Sequence, residues 1–169
     1  MKNNVLFLVI LMFNLCSFFA LHGQELNANT FDFWVGEWQL SWDKGDGTKA
    51  NGTNTIVRVL DQKVIQENFN DPVSGFKGMS LSVYNAKTNT WRQAWADNNG
   101  GYYDFIGAID NGQKVFKTKP IQQGEKTIIQ RMVFKDITKD SLIWDWESTL
   151  DGGEHWKLLW RISYRRKKP

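Results

Sequence analysis

Beyond residue 35, large apolar side chains recur at every second position in short runs, and nowhere hold the three-and-four spacing of a sizeable helix. Trp38, Leu40 and Trp42 share one face of such a run, as do Met79, Leu81 and Val83. Trp91, Gln93, Trp95 and Asp97 alternate with Arg92, Ala94 and Ala96. Between the runs stand turn-forming clusters: DKGDGTKANG, DQK, NDPVSG, NAKTN, NNGG, DNG, PIQQGE, ITKD and LDGG. The punctuation predicts ten strands, at 38–42, 53–60, 64–69, 77–85, 91–97, 102–110, 113–119, 127–136, 141–148 and 155–165.

Ten short strands joined by short links predict an all-β fold. A meander of that size removes its exposed edges most simply by closing into an antiparallel up-and-down barrel. A two-sheet sandwich is the alternative, but it would call for long crossovers that the short links do not offer. Charge sets the facing of the last two strands. Asp145 and Glu147 are expected to face water and turn Trp144 and Trp146 inward; Lys157, Arg161 and Arg165 are expected to turn Trp156, Leu158, Trp160, Ile162 and Tyr164 inward. With Trp38, Trp42 and Trp95, this makes an indole-rich interior, and a ten-stranded barrel is wide enough for such side chains to line a cavity as well as fill it.

The N-terminus reads as a secretory signal: Lys2, an apolar run from Val5 to Leu21, then Gly23. A retained membrane anchor is the alternative, and Cys16 raises lipidation, although Leu15 before it does not fit a lipid-attachment motif. Cleavage after Gly23 leaves a single domain, 24–169, which touches the membrane only through the lost signal and belongs in the periplasm or outside the cell. The single Cys leaves with the signal, so the domain holds no disulfide and depends on its core. Nine Trp, and the Phe that remain of eleven, can supply one. Net charge falls only from +3 to +2 when Lys2 is lost, too small and too dispersed for a nucleic-acid partner. A monomer is expected.

Gly36-Glu37-Trp38 at the head of the first strand resembles the Gly-x-Trp signature of lipocalins and the wider calycin group. The resemblance implies that Trp38 closes one barrel end beside an Arg from a late strand, with Arg161 the matching position. The chain is also similar to a family of secreted bacterial proteins of unknown function with lipocalin-like folds. That similarity rests on FDFWVGEW (31–38), VIQENF (64–69), WRQAWADNNGG (91–101) and STLDGGEHWKLLWRISYRRK (148–167). It implies a fold and no activity. FDFWVGEW then reads as a short helical plug, capped by Asn29 or Thr30, with Phe31, Phe33 and Trp34 pressed on the barrel mouth.

The chemistry-bearing residues are few. TLDGGEHW (149–156) fits an Asp-box, in which Asp151 organises a hairpin turn with Trp156 packed beneath it; a single copy is a folding device. His155 is the one His outside the signal, and its parity points to solvent, away from a haem or zinc role. Asp43 and Asp46 lack the spacing of a calcium loop. No metal or cofactor is expected. The informative set is Glu67, Gln93 and Asp97, with Arg131 behind it: polar groups that fall among apolar neighbours and must find partners. They read either as a structural network or as the polar tips of a pocket. The leading expectation is a non-catalytic barrel taking a small hydrophobic, aromatic or carbohydrate ligand between Glu67, Gln93, Trp95, Asp97 and Arg131 and the indoles of Trp144, Trp146 and Trp160. The alternatives are a small enzyme with Glu67 as general acid or base, and a structural or interaction protein that binds no small molecule.

Overall fold

The computed structural model describes residues 25–168, so the segment read as a signal lies outside the described residues. A 3-10 turn, Asp32–Trp34, leads into eleven strands: β1 (Gly36–Asp43), β2 (Lys49–Val59), β3 (Val64–Asn70), β4 (Lys77–Asn85), β5 (Thr90–Asp97), β6 (Tyr102–Asp110), β7 (Gln113–Thr118), β8 (Ile121–Gln123), β9 (Lys126–Lys135), β10 (Ser141–Thr149) and β11 (Lys157–Arg166). Each strand from β1 to β6 pairs antiparallel with the next; β7 then pairs with β9, β9 with β10, β10 with β11, and β11 with β1. The circuit is a closed ten-stranded meander, consistent with a calycin-like fold, and closure excludes the sandwich. The eleventh strand, β8, lies in the link read as a plain turn and pairs only with the start of β9. β2 also begins earlier than expected, because Lys49–Asn51 stay in register with β1 and leave a tighter turn.

Registry divides the interior into two halves. At the end where β1 begins, Phe31 and Trp34 are wholly buried with Ile56, Ile65, Trp91, Phe116 and Phe134. Phe31 stacks on Phe116 with ring centroids 4.3 Å apart and meets Trp91 edge-on at 5.3 Å; Trp34 meets Phe134 at 5.1 Å. Large rings fill this half, each contributing about 2 kcal/mol or more on burial. Neither Asn29 nor Thr30 caps the turn. Its N-cap is Phe31, with no side-chain bond, and Thr30 Oγ1 instead accepts the Asn27 N–H.

Arg161 is not the partner of Trp38. The residue that covers the Trp38 indole is Arg166, its guanidinium carbon 4.2 Å from the ring centroid. Arg161 lies lower on β11 and faces outward, where it pairs with Asp145. The guanidinium of Arg166 also occupies the space where a side chain at Gly36 would stand, and Gly36 has a φ of 142° that other residues rarely adopt.

Asp145 and Glu147 do point away from the interior, which sends Trp144 and Trp146 inward, but they do not face water. Asp145 is fully buried and Glu147 nearly so, beneath Lys135, Arg131 and Arg161 from the flanking strands. Long cationic side chains on neighbouring strands can reach sideways across the sheet and cover a short acid between them. Hydrogen bonds from Arg161 and Lys135 outweigh the cost of burial and hold the Asp145 carboxyl below its usual range. Trp156 and Leu158 also depart from expectation. A bulge in β11 pairs Trp146 with Trp160 but Glu147 with Leu158, so an extra residue, Leu159, reverses the facing. Trp156 therefore lies outside, under the Arg131 guanidinium at 3.7 Å, and Leu158 is exposed.

Candidate functional site

The half of the barrel opposite Phe31 and Trp34 is not filled. It holds a cavity of about 220 Å³. Trp95, Trp144, Trp146 and Trp160 form much of its wall, with Phe69, Phe76 and Tyr103 completing it. The rings support one another edge to face: Trp144 meets Trp160 at 5.9 Å, Phe69 meets Trp160 at 5.9 Å, and Trp42 backs Trp160 at 5.3 Å. Trp144 and Trp146, two residues apart on β10, stack in parallel at 6.4 Å. The Trp95 indole packs over Gly78 of β4, diagonal to it in the register, where an added Cβ would stand 2.0 Å from the ring.

Glu67 and Tyr164 sit at the inner limit of the cavity. Glu67 reaches inward from β3, where Asn54 of β2 and Ser80 of β4 flank it. Asn54 Nδ2 donates to Glu67 Oε1 at 2.7 Å, and the Ser80 hydroxyl donates to Oε2 at 2.7 Å. The same Asn54 amide donates to the Tyr164 hydroxyl at 3.1 Å. Burial pushes the Glu67 carboxyl up to about 7 against the opposing pull of Ser80 and Asn54. Burial, reinforced by the adjacent Glu67 charge, keeps Tyr164 neutral well above the usual range.

Asp97 stands at the outer rim, on the last residue of β5. It accepts the Trp95 indole N–H at 3.1 Å and the Gly101 and Asn99 N–H groups at 2.9 and 3.0 Å. Partial burial works against its charge, but these donors prevail and hold its carboxyl below the ordinary range.

Of the eight residues singled out from the sequence, Glu67, Trp95, Asp97, Trp144, Trp146 and Trp160 line this one cavity. Gln93 is buried but is not part of the wall; it donates to the Ser82 hydroxyl at 2.9 Å, and its Oε1 has no partner among the described residues. Arg131 is elsewhere. On β9 Met132 and Phe134 take the inward positions, which puts Arg131 on the outer surface with Glu147 at 2.8 Å, Asp110 at 3.2 Å and Trp156. Sequence reasoning missed Asn54, Ser80, Phe69, Phe76, Tyr103 and Tyr164 as parts of the site. Ser80 and Ser82 take the inward positions of β4 and leave Met79, Leu81 and Val83 exposed, the reverse of what polar–apolar alternation predicts, so no sequence signal marked Ser80.

The Asp-box turn behaves as a folding device. Asp151 accepts the Glu154 and His155 N–H groups at 3.0 Å, and the Trp156 indole N–H is tied back to Gly153 O at 3.0 Å. Asp151, Glu154 and His155 bring ligand atoms within 4.8 Å of one another, but all three are exposed. No protein-family model matches the chain, and no curated protein matches its sequence.

Proposed function

We propose that the protein is a secreted, non-catalytic barrel that carries a small, flat apolar or aromatic molecule, or a sugar stacked on indole, in the Trp-walled cavity. One observation carries the reading. The barrel is packed solid with rings at one end, while at the other end indoles of similar bulk stand around an opening of about 220 Å³ with a carboxyl at its base. Cores close such spaces when nothing is gained by keeping them, since an unfilled cavity costs roughly 24 cal/mol per Å³. The size is below the ~300–1,000 Å³ of sites for drug-sized ligands, which favours a guest of one or two rings over a long acyl chain. The signal-like N-terminus supports secretion, and a sheet closed into a barrel supports a monomer.

Titration of intrinsic Trp fluorescence, paired with native mass spectrometry, against panels of aromatic, lipid and oligosaccharide compounds tests the proposal. A saturable one-to-one shift with a small ring compound is the expected result, lost when Trp160→Leu removes part of the wall. A panel without a single binder would remove the proposal.

A second reading, a small enzyme, is favoured by one specific feature: Glu67, poised near 7 in a cavity beside a buried Tyr, has the charge behaviour of a general acid or base. The two readings separate on Glu67→Gln. An enzyme would keep its guest and lose turnover of it, whereas a carrier would return every bound compound unchanged from both proteins.

A further inference from the structure

The ion pairs of this barrel are on its outside. Asp145, Glu147, Asp110, Asp104 and Asp32 each meet an Arg or Lys. The two acids of the cavity do not: neither Glu67 nor Asp97 forms an ion pair among the described residues, and the cavity wall contains no Lys, Arg or His. Glu67 is nearly fully buried, and its polar partners among the described residues are the neutral donors Asn54 and Ser80. Each of its oxygens accepts one hydrogen bond there and keeps a second lone-pair direction. Four indoles line the same cavity, Trp95 giving its N–H edge to Asp97, and an indole face met by a guest in that space attracts positive charge.

We propose that the cavity selects organic cations: a protonated amine on a small flat apolar body, its ammonium against Glu67 at the base and its ring among the indoles, with Asp97 at the rim favouring entry. This rests on the ligand-binding reading above and narrows it. The two carboxyls in the cavity wall have one sign when ionised, and a carboxylate guest would meet both acids with no cation in the wall to offset them. A neutral guest would gain the stacking and nothing from the acids. The titratable groups that share the cavity with Glu67 are Tyr164 from β11, Tyr103 from β6 and Asp97 from β5, and none can carry a positive charge.

Three probes built on one ring system separate the possibilities: tryptamine, indole-3-acetamide and indole-3-acetate, titrated calorimetrically into the full chain. Tryptamine should bind at least about tenfold tighter than the amide, with no detectable binding of the acetate. Its affinity should also rise roughly tenfold from pH 6 to pH 8 as Glu67 becomes charged, while that of the amide stays flat. Glu67→Gln should reduce tryptamine to the level of the amide and leave the amide unchanged; Asp97→Asn should slow tryptamine association with little change for the amide. Equal binding of amine and amide, a preference for the acetate, or an amine preference that survives both substitutions would overturn the inference while leaving a ligand-binding barrel in place. If all three fail to bind the inference falls as well, and only failure of the wider panel would take the binding reading with it.

Discussion

Arg166 lies across the face of Trp38 and at the same time donates to the Val35 and Phe33 carbonyl oxygens at 2.9 and 3.3 Å. One guanidinium thus joins the last strand, the first strand and the 3-10 turn that fills the barrel end. Trp38 completes the link by donating its indole N–H to Trp34 O at 2.8 Å.

Replacing Arg166 by Ala removes a cation–π contact and its hydrogen bonds to main-chain oxygens, a loss of about 2–3 kcal/mol. Arg166→Lys should recover little of it, since an ammonium cannot lie flat on the ring and donate sideways at once. Arg165→Ala, at an exposed neighbour, should stay within about 0.5 kcal/mol of the parent. Urea denaturation of the three variants measures the order.

Stability should fall as pH rises across the range in which Glu67 titrates. Its carboxyl ionises at about 7 in the folded protein and at an ordinary value of 4.5 when unfolded. Its stabilising contribution is therefore full below pH 4.5, declines between 4.5 and 7, and is lost above, a change of about 3 kcal/mol. Glu67→Gln should flatten that segment of the profile and match or exceed the parent at pH 8. Denaturation midpoints taken at intervals from pH 4.5 to 8 would show it; an unchanged slope in the variant would assign the effect to another group.

The outer network should behave in the opposite sense. Asp145 is held below its ordinary value, so its contribution is present above about pH 4 and disappears as acid protonates it. Asp145→Ala leaves Lys135 and Arg161 without their shared acceptor. The cost should be about 2–4 kcal/mol, toward the low end because Arg161 is half exposed and can turn to water. The loss should shrink as the pH falls below 3.8 and vanish only once it has passed the depressed value at which the folded parent's Asp145 takes up its proton.

Gly78→Ala tests how the cavity wall is held. The new methyl would overlap the Trp95 ring and force it inward, costing about 1–3 kcal/mol in displaced packing. The indole would then intrude on the cavity, so ligand affinity should drop while the plugged end is undisturbed. Fluorescence titration together with melting temperature separates this from general destabilisation, which would lower both in proportion.

Alternation along each strand was legible because a strand's side-chain period is local: Trp144, Trp146 and Trp160 could be turned inward from their charged neighbours alone, and Glu67, Trp95 and Asp97 from their apolar ones. Closure of the barrel was legible because short turns leave a meander few other ways to cover its edges. What escaped depends on which strand lies beside which, and in what register. The bulge at Leu159 is a mismatch between β10 and β11, and neither strand carries it alone, so Trp156 and Leu158 were turned the wrong way. Asp145 reads as a solvated acid until β9 and β11 bring Lys135 and Arg161 over it. Ser80 and Asn54 become the partners of Glu67 only because β4 sets Ser80 opposite it and β2 sets Asn54 diagonally across from it, each thirteen residues away along the chain. Patterning of polar and apolar residues is written at the scale of a few residues, where backbone geometry dictates the facing. Ion pairs, bulges and an unfilled half of a barrel arise between strands, where the energy belongs to pairs of residues that the chain order keeps apart.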